Sequence, residues 1–332
     1  MNFISVTEDV SSENEYFPYL ILALRITRRY APVLMSIIGI FGNIFSFVIT
    51  TKREYRHIST CTYMSALAAL DTVFLFEYLT YLPFFFGLKF PHYRDVIRGV
   101  LYSLYCSGTS SRLTLALMTV DRAYVVLFPL KAKNICTVAR ARKAILTLII
   151  IPMVINMNVF FTYDIRLLGD EFLDVDLSFG DYPWVEVIIA VYQLSITTII
   201  PFFFVLISNI LIMKGIRKAA LERHKLQSAN QAGDMENRNL TRMLMLVSLA
   251  FVICCAPYAL HEVVFTIPAV YTFYDNSITY WELRQSVILW TTTFITLTNH
   301  AINFYLYILG GGQRFRTDAM KVLSMPRECC CT

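Results

Sequence analysis

Residues 187–213 read VIIAVYQLSITTIIPFFFVLISNILIM, 27 positions without one formal charge. As a helix rising 1.5 Å per residue this run covers about 40 Å, more than the ~30 Å hydrocarbon core of a bilayer. Hydrocarbon offers no partner for backbone amides, so a spanning segment must be a helix or part of a closed barrel. The run lacks the period-two alternation that a barrel strand needs. Six further stretches behave alike: 30–51, 58–86, 99–120, 144–163, 243–260 and 285–312. The second carries only Asp71 and Glu77, the third only Arg112, and the others have no Asp, Glu, Lys or Arg. A single such run could be a buried core helix. Seven of them separated by short polar gaps are expected to be membrane spans. Composition agrees, because the 332 residues are 56% hydrophobic and only 16% charged, whereas soluble domains carry about 25% charged residues. A soluble enzyme and a disordered chain are both excluded.

Polar gaps orient the bundle. With the N-terminus outside, inner segments hold 20 of the 29 Lys and Arg and outer segments hold 8, leaving Arg112 at mid-membrane. Basic residues accumulate on the cytoplasmic side. The expected architecture is an all-α membrane protein. It has an extracellular segment over 1–28, a seven-helix bundle over 29–309 and a short amphipathic cytoplasmic helix with tail over 310–332. Residues 1–16 are acidic and lack a basic region followed by an apolar core, so the first span is expected to start its own insertion.

Several spaced features then coincide: Gly42-Asn43; Leu67-Ala68-Ala69-Leu70-Asp71; Asp121-Arg122-Ala123 followed by Phe128-Pro129-Leu130; Pro201; Phe251 with Cys254-Cys255-Ala256-Pro257-Tyr258; Asn299; and Asn303-Phe304-Tyr305-Leu306-Tyr307. In this order, on successive spans, the set resembles the rhodopsin-like G-protein-coupled receptors over about 30–325. Pro129-Leu130-Lys131-Ala132 through Cys136-Thr137, with Arg140-Ala141-Arg142, is similar to the second inner loop of invertebrate FMRFamide-type neuropeptide receptors. The chain also departs from the family pattern. No cysteine stands near Ile97 or between Tyr163 and Glu186, so the usual outer disulfide is missing. Cys255 replaces a tryptophan, Ala123 an aromatic residue and Asn209 a tyrosine.

The resemblance implies roles for polar residues that hydrocarbon would otherwise penalise. Asp71, Ser111, Asn299 and Asn303 fall where the family keeps a sodium pocket, and oxygen ligands suit a hard cation. The alternative is a polar knot that packs the helices without an ion, with Asn43 bridging spans by hydrogen bonds. Asp71 could instead meet a cation of the protein, for which Arg112 is the candidate. Arg112 follows Ser111 and so points about 100° away around the helix, towards the fifth and sixth spans. It would there bond carbonyls freed by Pro201 or Pro257, or place a charge in the activation core. Asp121, Arg122, Asn303 and Tyr307 are implied as the G-protein switch, with Asp121 restraining Arg122 in the silent state.

Ligand classes can be narrowed. A retinal lysine and an amine-binding aspartate are both missing, since the matching positions are Leu297 and Leu104. The outer halves instead offer Glu77, Tyr78, Tyr81, Tyr105, Gln193, Tyr258, Glu262 and Thr293 as ligand contacts. Outer segments hold 14 acids against 8 bases, a field that steers cations. A neuropeptide, cationic and amidated, is the expected ligand, and a lipid or small molecule on the same fold is the alternative. A transporter or channel is the rival of another class, with charges lining a path and broken helices. An enzyme is not expected, because the five histidines, His57, His92, His224, His261 and His300, show no ligand spacing. No cofactor is expected beyond a sodium ion, should the pocket hold one. The expected partners are an extracellular ligand, a heterotrimeric G-protein and membrane lipid, with no nucleic acid, at the plasma membrane. Phe315, Ala319, Val322 and Leu323 form one face of a helix after Gly310-Gly311-Gly312, reading as an interfacial amphipathic helix. Cys329, Cys330 and Cys331 beyond it are S-palmitoylation candidates.

Overall fold

The computed structural model describes residues 17–85, 93–168, 172–177, 183–226, 231–266, 280–311 and 313–323. Seven long helical spans make one bundle. The first consists of consecutive pieces, Phe17–Arg25, the π turn Ile26–Tyr30 and Ala31–Thr50. It starts well before Tyr30, so the expected extracellular segment 1–28 is helical from Phe17 onward. Pro18 stands in the first turn, where a missing N–H costs no intrahelical bond. The charge of Arg28 is accommodated by stacking, with its guanidinium carbon 5.0 Å from the Trp290 ring centroid.

The second span is Ser59–Phe85 and the third Tyr93–Leu127. A short inner helix, Pro129–Ile135, follows. The fourth span is Val138–Ile155, continued by Asn156–Asn158 and Val159–Thr162. Its start is capped by the Thr137 hydroxyl, which accepts from the Arg140 amide at 3.4 Å. The fifth span joins Pro183–Leu194, the π turn Ser195–Ile199 and Ile200–Leu226. Pro201 cannot donate to a carbonyl one turn back, and the wide turn directly before it absorbs that lost bond. The sixth span is Gln231–His261, with Pro257 inside, extended by Glu262–Thr266. The seventh is Tyr280–Ala301 and Asn303–Gly310, interrupted at Ile302.

Among the described residues, five helices are apolar enough by composition alone to cross a bilayer, and the third and seventh are not. Those two turn their polar residues inward: Ser107, Thr109, Ser110, Ser111 and Thr114 are buried on one, Thr296, Asn299, His300 and Asn303 on the other. The outward surface is apolar, with Phe41, Phe76, Leu146, Ile253 and Leu309 each more than half exposed. In water that surface would be unfavourable, and in lipid it is the expected belt. Two glycines permit close helix approach. A Cβ on Gly39 would lie 2.7 Å from the Ala301 backbone, and one on Gly310 would lie 2.8 Å from Met243 Cα. The first span thus meets the seventh, and the seventh meets the sixth at its inner end.

Outside the all-α bundle, the second outer loop contains strands, which the sequence reading did not expect. β1 (Tyr163–Leu168) pairs antiparallel with β2 (Phe172–Leu177), from Tyr163 opposite Leu177 to Leu168 opposite Phe172. Leu173-Asp174-Val175-Asp176-Leu177 carries the period-two alternation of a strand, masked in the reading by its acidity. β1 lies beside the third span and β2 beside the second. Cys61, Cys106, Cys136, Cys254 and Cys255 form no disulfide, so among the described residues none ties this hairpin down.

The tail helix, Gln313–Leu323, starts after Gly311 leaves helical geometry at ψ 148°. Its face is not simply interfacial. Phe315 and Ala319 are buried against protein, with Phe315 edge-on to Tyr55 and Tyr307 at 6.3 Å. Tyr55 Oη donates to Asp318 Oδ2 at 2.8 Å. Arg316 Nε and Nη2 donate to the carbonyls of Ile308 and Leu309 at 2.8 and 2.9 Å, satisfying the open end of the seventh span. Cys329, Cys330 and Cys331 lie outside the described residues.

Candidate functional site

The polar centre is built on Asp71, which the second span places wholly inside the bundle. Its Oδ1 accepts from Ser111 Oγ at 2.5 Å and lies 2.6 Å from His300 Nδ1. Its Oδ2 accepts from Asn303 Nδ2 at 2.7 Å. The second, third and seventh spans therefore meet at one carboxylate. Asn43 of the first span adds a fourth connection, donating from Nδ2 to the His300 carbonyl at 2.9 Å. The break at Ile302 lets His300 and Asn303 approach Asp71 together. Asn299 is buried nearby in sequence, but its Oδ1 has no hydrogen-bond partner.

Two groups occupy the outer half. Glu77 accepts from Ser107 Oγ at 2.7 Å on Oε2 and from Ser103 Oγ on Oε1, so the third span holds it. Between the third and sixth spans, the Tyr258 hydroxyl bonds Glu262, with Tyr105 and Arg112 within electrostatic reach. Arg112 also neighbours Cys255. It faces the sixth span, as its position after Ser111 predicts, and not Asp71. Its Nε is buried without a hydrogen-bond partner, so no carbonyl freed by a proline receives that atom. Gln193 is buried on the fifth span with Oε1 unpartnered. Thr293 is half-buried on the seventh, and Tyr78 is buried on the second. Tyr81 lies on the second span, outside the described side chains.

At the inner end, Asp121 accepts from Ser59 Oγ at 3.1 Å. Arg122 is only 3% exposed, and its Nε has no hydrogen-bond partner. A Ser59–Asp121 bond thus ties the second and third spans beside the implied Asp121–Arg122 pair. Asp121 still attracts Arg122 through space. Tyr307 is buried, and its hydroxyl has no partner. Asn209 accepts from Ser248 Oγ at 2.8 Å, joining the fifth and sixth spans where a tyrosine was missing. In the inner loop, Cys136 Sγ contacts the Asp121 carbonyl at 3.8 Å. Burial, reinforced by the Asp121 charge, pushes the Cys136 thiol up to about 12.

A family model of seven-transmembrane receptors of the rhodopsin family matches residues 42–307. The chain belongs to the rhodopsin family of seven-transmembrane receptors. It is 25% identical over 330 residues to an FMRFamide receptor of Drosophila melanogaster, covering 93% of this chain and 56% of that relative. The receptor described here thus spans about half the length of the curated relative it matches.

Within the receptor, Asp71, Ser111 and Asn303 come together as expected. Glu77 and the Tyr105–Tyr258–Glu262 group lie on different interfaces. His300 is the functional residue that sequence reasoning missed. The available signal was a histidine directly after Asn299 on a face already assigned to the polar centre.

Proposed function

We propose that the receptor binds a cationic peptide on its outer side and activates a heterotrimeric G-protein on its inner side. It sits in the plasma membrane with the N-terminus outside. The observation that carries this reading is Glu262, bonded to Tyr258 with Tyr105 in reach, in the outer half of the bundle; Glu77 adds a second outer carboxylate on a separate interface. A carboxylate flanked by aromatic hydroxyls is a site for a guanidinium or ammonium group, with cation–π contact adding to the ionic one. The acidic outer segments would draw such a ligand in. The Drosophila relative named for an FMRFamide ligand supports a peptide with a basic residue near an amidated end. Arg122, buried with an unpartnered Nε, supports a guanidinium held in reserve for a cytoplasmic partner.

The test is a library of amidated peptides applied to cells expressing the receptor with a promiscuous G-protein, read as nucleotide exchange. Arginine-containing peptides are expected to activate, and Glu262→Gln to lower their potency by about tenfold or more, the scale of one charge-assisted bond. Activation by neutral lipids alone would turn the reading to a lipid receptor. Solute flux without nucleotide exchange would turn it to a transporter.

A further inference from the structure

The donors around Asp71 do not suit a sodium ion. A bound cation needs lone pairs aimed at it, from the carboxylate and from neighbouring oxygens. Here Ser111 Oγ and Asn303 Nδ2 both spend hydrogens on Asp71, at 2.5 and 2.7 Å. His300 Nδ1 stands 2.6 Å from Oδ1, and because an ionised carboxylate can only accept, the nitrogen is the donor to it. That N–H is a donor in both the neutral and the charged imidazole. Two buried acceptors, Asn299 Oδ1 and Asn303 Oδ1, have no partner, but the imidazole held against Oδ1 takes the position on the carboxylate that an ion would share with them.

The imidazole is also fixed in place. It exposes no surface, and Phe74 stacks on it with centroids 4.2 Å apart and planes at 32°. Its backbone carbonyl is held by Asn43 at 2.9 Å. A histidine so confined cannot swing aside to admit an ion without breaking ring contacts to the second and third spans.

We propose that His300 takes the place of the sodium ion: its Nδ1–H is a tethered donor that satisfies Asp71 from within the seventh span. This inference rests on the family and the geometry, not on the peptide reading. A diffusible ion couples a receptor's conformational balance to salt composition, because binding to one state shifts the equilibrium. A tethered donor has a constant effective presence. The balance in this receptor is therefore independent of sodium, and His300 acts as a positioning residue between the second and seventh spans.

The experiment uses the purified full chain in lipid nanodiscs, with thermal unfolding compared in sodium chloride and in N-methylglucamine chloride at equal ionic strength. The wild type is expected to melt within about 1 °C in the two salts, below the shift a stabilising ligand gives. His300→Ser vacates the imidazole volume and leaves Asp71 one donor short. It is expected to gain a sodium-specific rise of about 2 °C at ten times the dissociation constant. Adding Asp71→Asn should abolish that gain. A purely structural role for His300 would lower melting in both salts equally. His300→Asn serves as the second variant, should the serine form fail to fold. Sodium-specific stabilisation of the wild type overturns the proposal, whatever the variants do. So does the lack of any sodium response in both His300→Ser and His300→Asn.

Discussion

Ser111 Oγ lies 2.5 Å from Asp71 Oδ1, and both groups are buried. Ser111→Ala removes one of three donors to a buried acid, and a hydrogen bond to a charged group contributes about 1.5–3 kcal/mol. The variant should lose that much stability, seen as a lower melting temperature of the purified receptor, while Ser110→Ala on the neighbouring position loses less. Cys136 invites a chemical test. Only a thiolate reacts with alkylating reagents, and a thiol pushed up to about 12 is almost wholly protonated at neutral pH. Its alkylation should be far slower at pH 7 than that of a free cysteine titrating near 8.5, and should accelerate continuously beyond pH 10. A pH–rate curve levelling off near pH 9 would contradict the burial seen here. Asp71 and Asn303 were legible in sequence because the receptor motifs mark them. His300 was not, because its partner stands 229 positions away and spacing along a chain cannot register that pairing.

The tail helix changes character once its partners are seen. Its amphipathic pattern was readable from Phe315, Ala319 and Val322, and amphipathicity alone suggests a lipid surface as partner. Instead Phe315 inserts between Tyr55 and Tyr307, and Arg316 caps the seventh span. Truncating a buried phenylalanine costs about 3–5 kcal/mol, more than a short helix can lose and remain docked. Phe315→Ala should therefore raise amide hydrogen exchange across Gln313–Leu323 to that of a free helix while leaving the seven spans protected. Replacing Cys329, Cys330 and Cys331 by serine should abolish palmitate labelling yet leave exchange in the same helix unchanged, since protein contacts hold it. Loss of protection in the serine variant would show that acylation, not Phe315, holds the helix. The β1–β2 hairpin is the other element that no local pattern announces. Its alternation spans only a few residues, and a strand of that length becomes visible only when its mate is known.

The whole receptor lacks an outer cysteine pair. None of its cysteines falls in the outer segments, and those described within the bundle and the inner loop form no disulfide. The hairpin is therefore positioned by backbone pairing and its place beside the second and third spans. Mild membrane-impermeant reductant should leave surface expression and peptide-driven nucleotide exchange unchanged. A sharp fall in response under that reductant would reveal a covalent tie that this bundle does not provide. At this scale the close approach of the sixth and seventh spans at Gly310 and Met243 holds their inner ends together.

The sequence by itself determined that this chain crosses the bilayer seven times, because hydrocarbon selects helices by composition and length, and both are local properties. The receptor family was equally legible, since its motifs are short and lie on successive spans. Only the tertiary structure decided which polar groups share a partner. Asp121 is held by Ser59 while also attracting Arg122 next to it, and the Arg112 charge acts on Cys255 and Tyr258 of the sixth span. Asp71 is satisfied by His300 from the far end of the chain. In a low-dielectric interior each donor settles on the nearest acceptor in space, and which acceptor is nearest follows from how the helices rotate and pack, information that no local pattern carries.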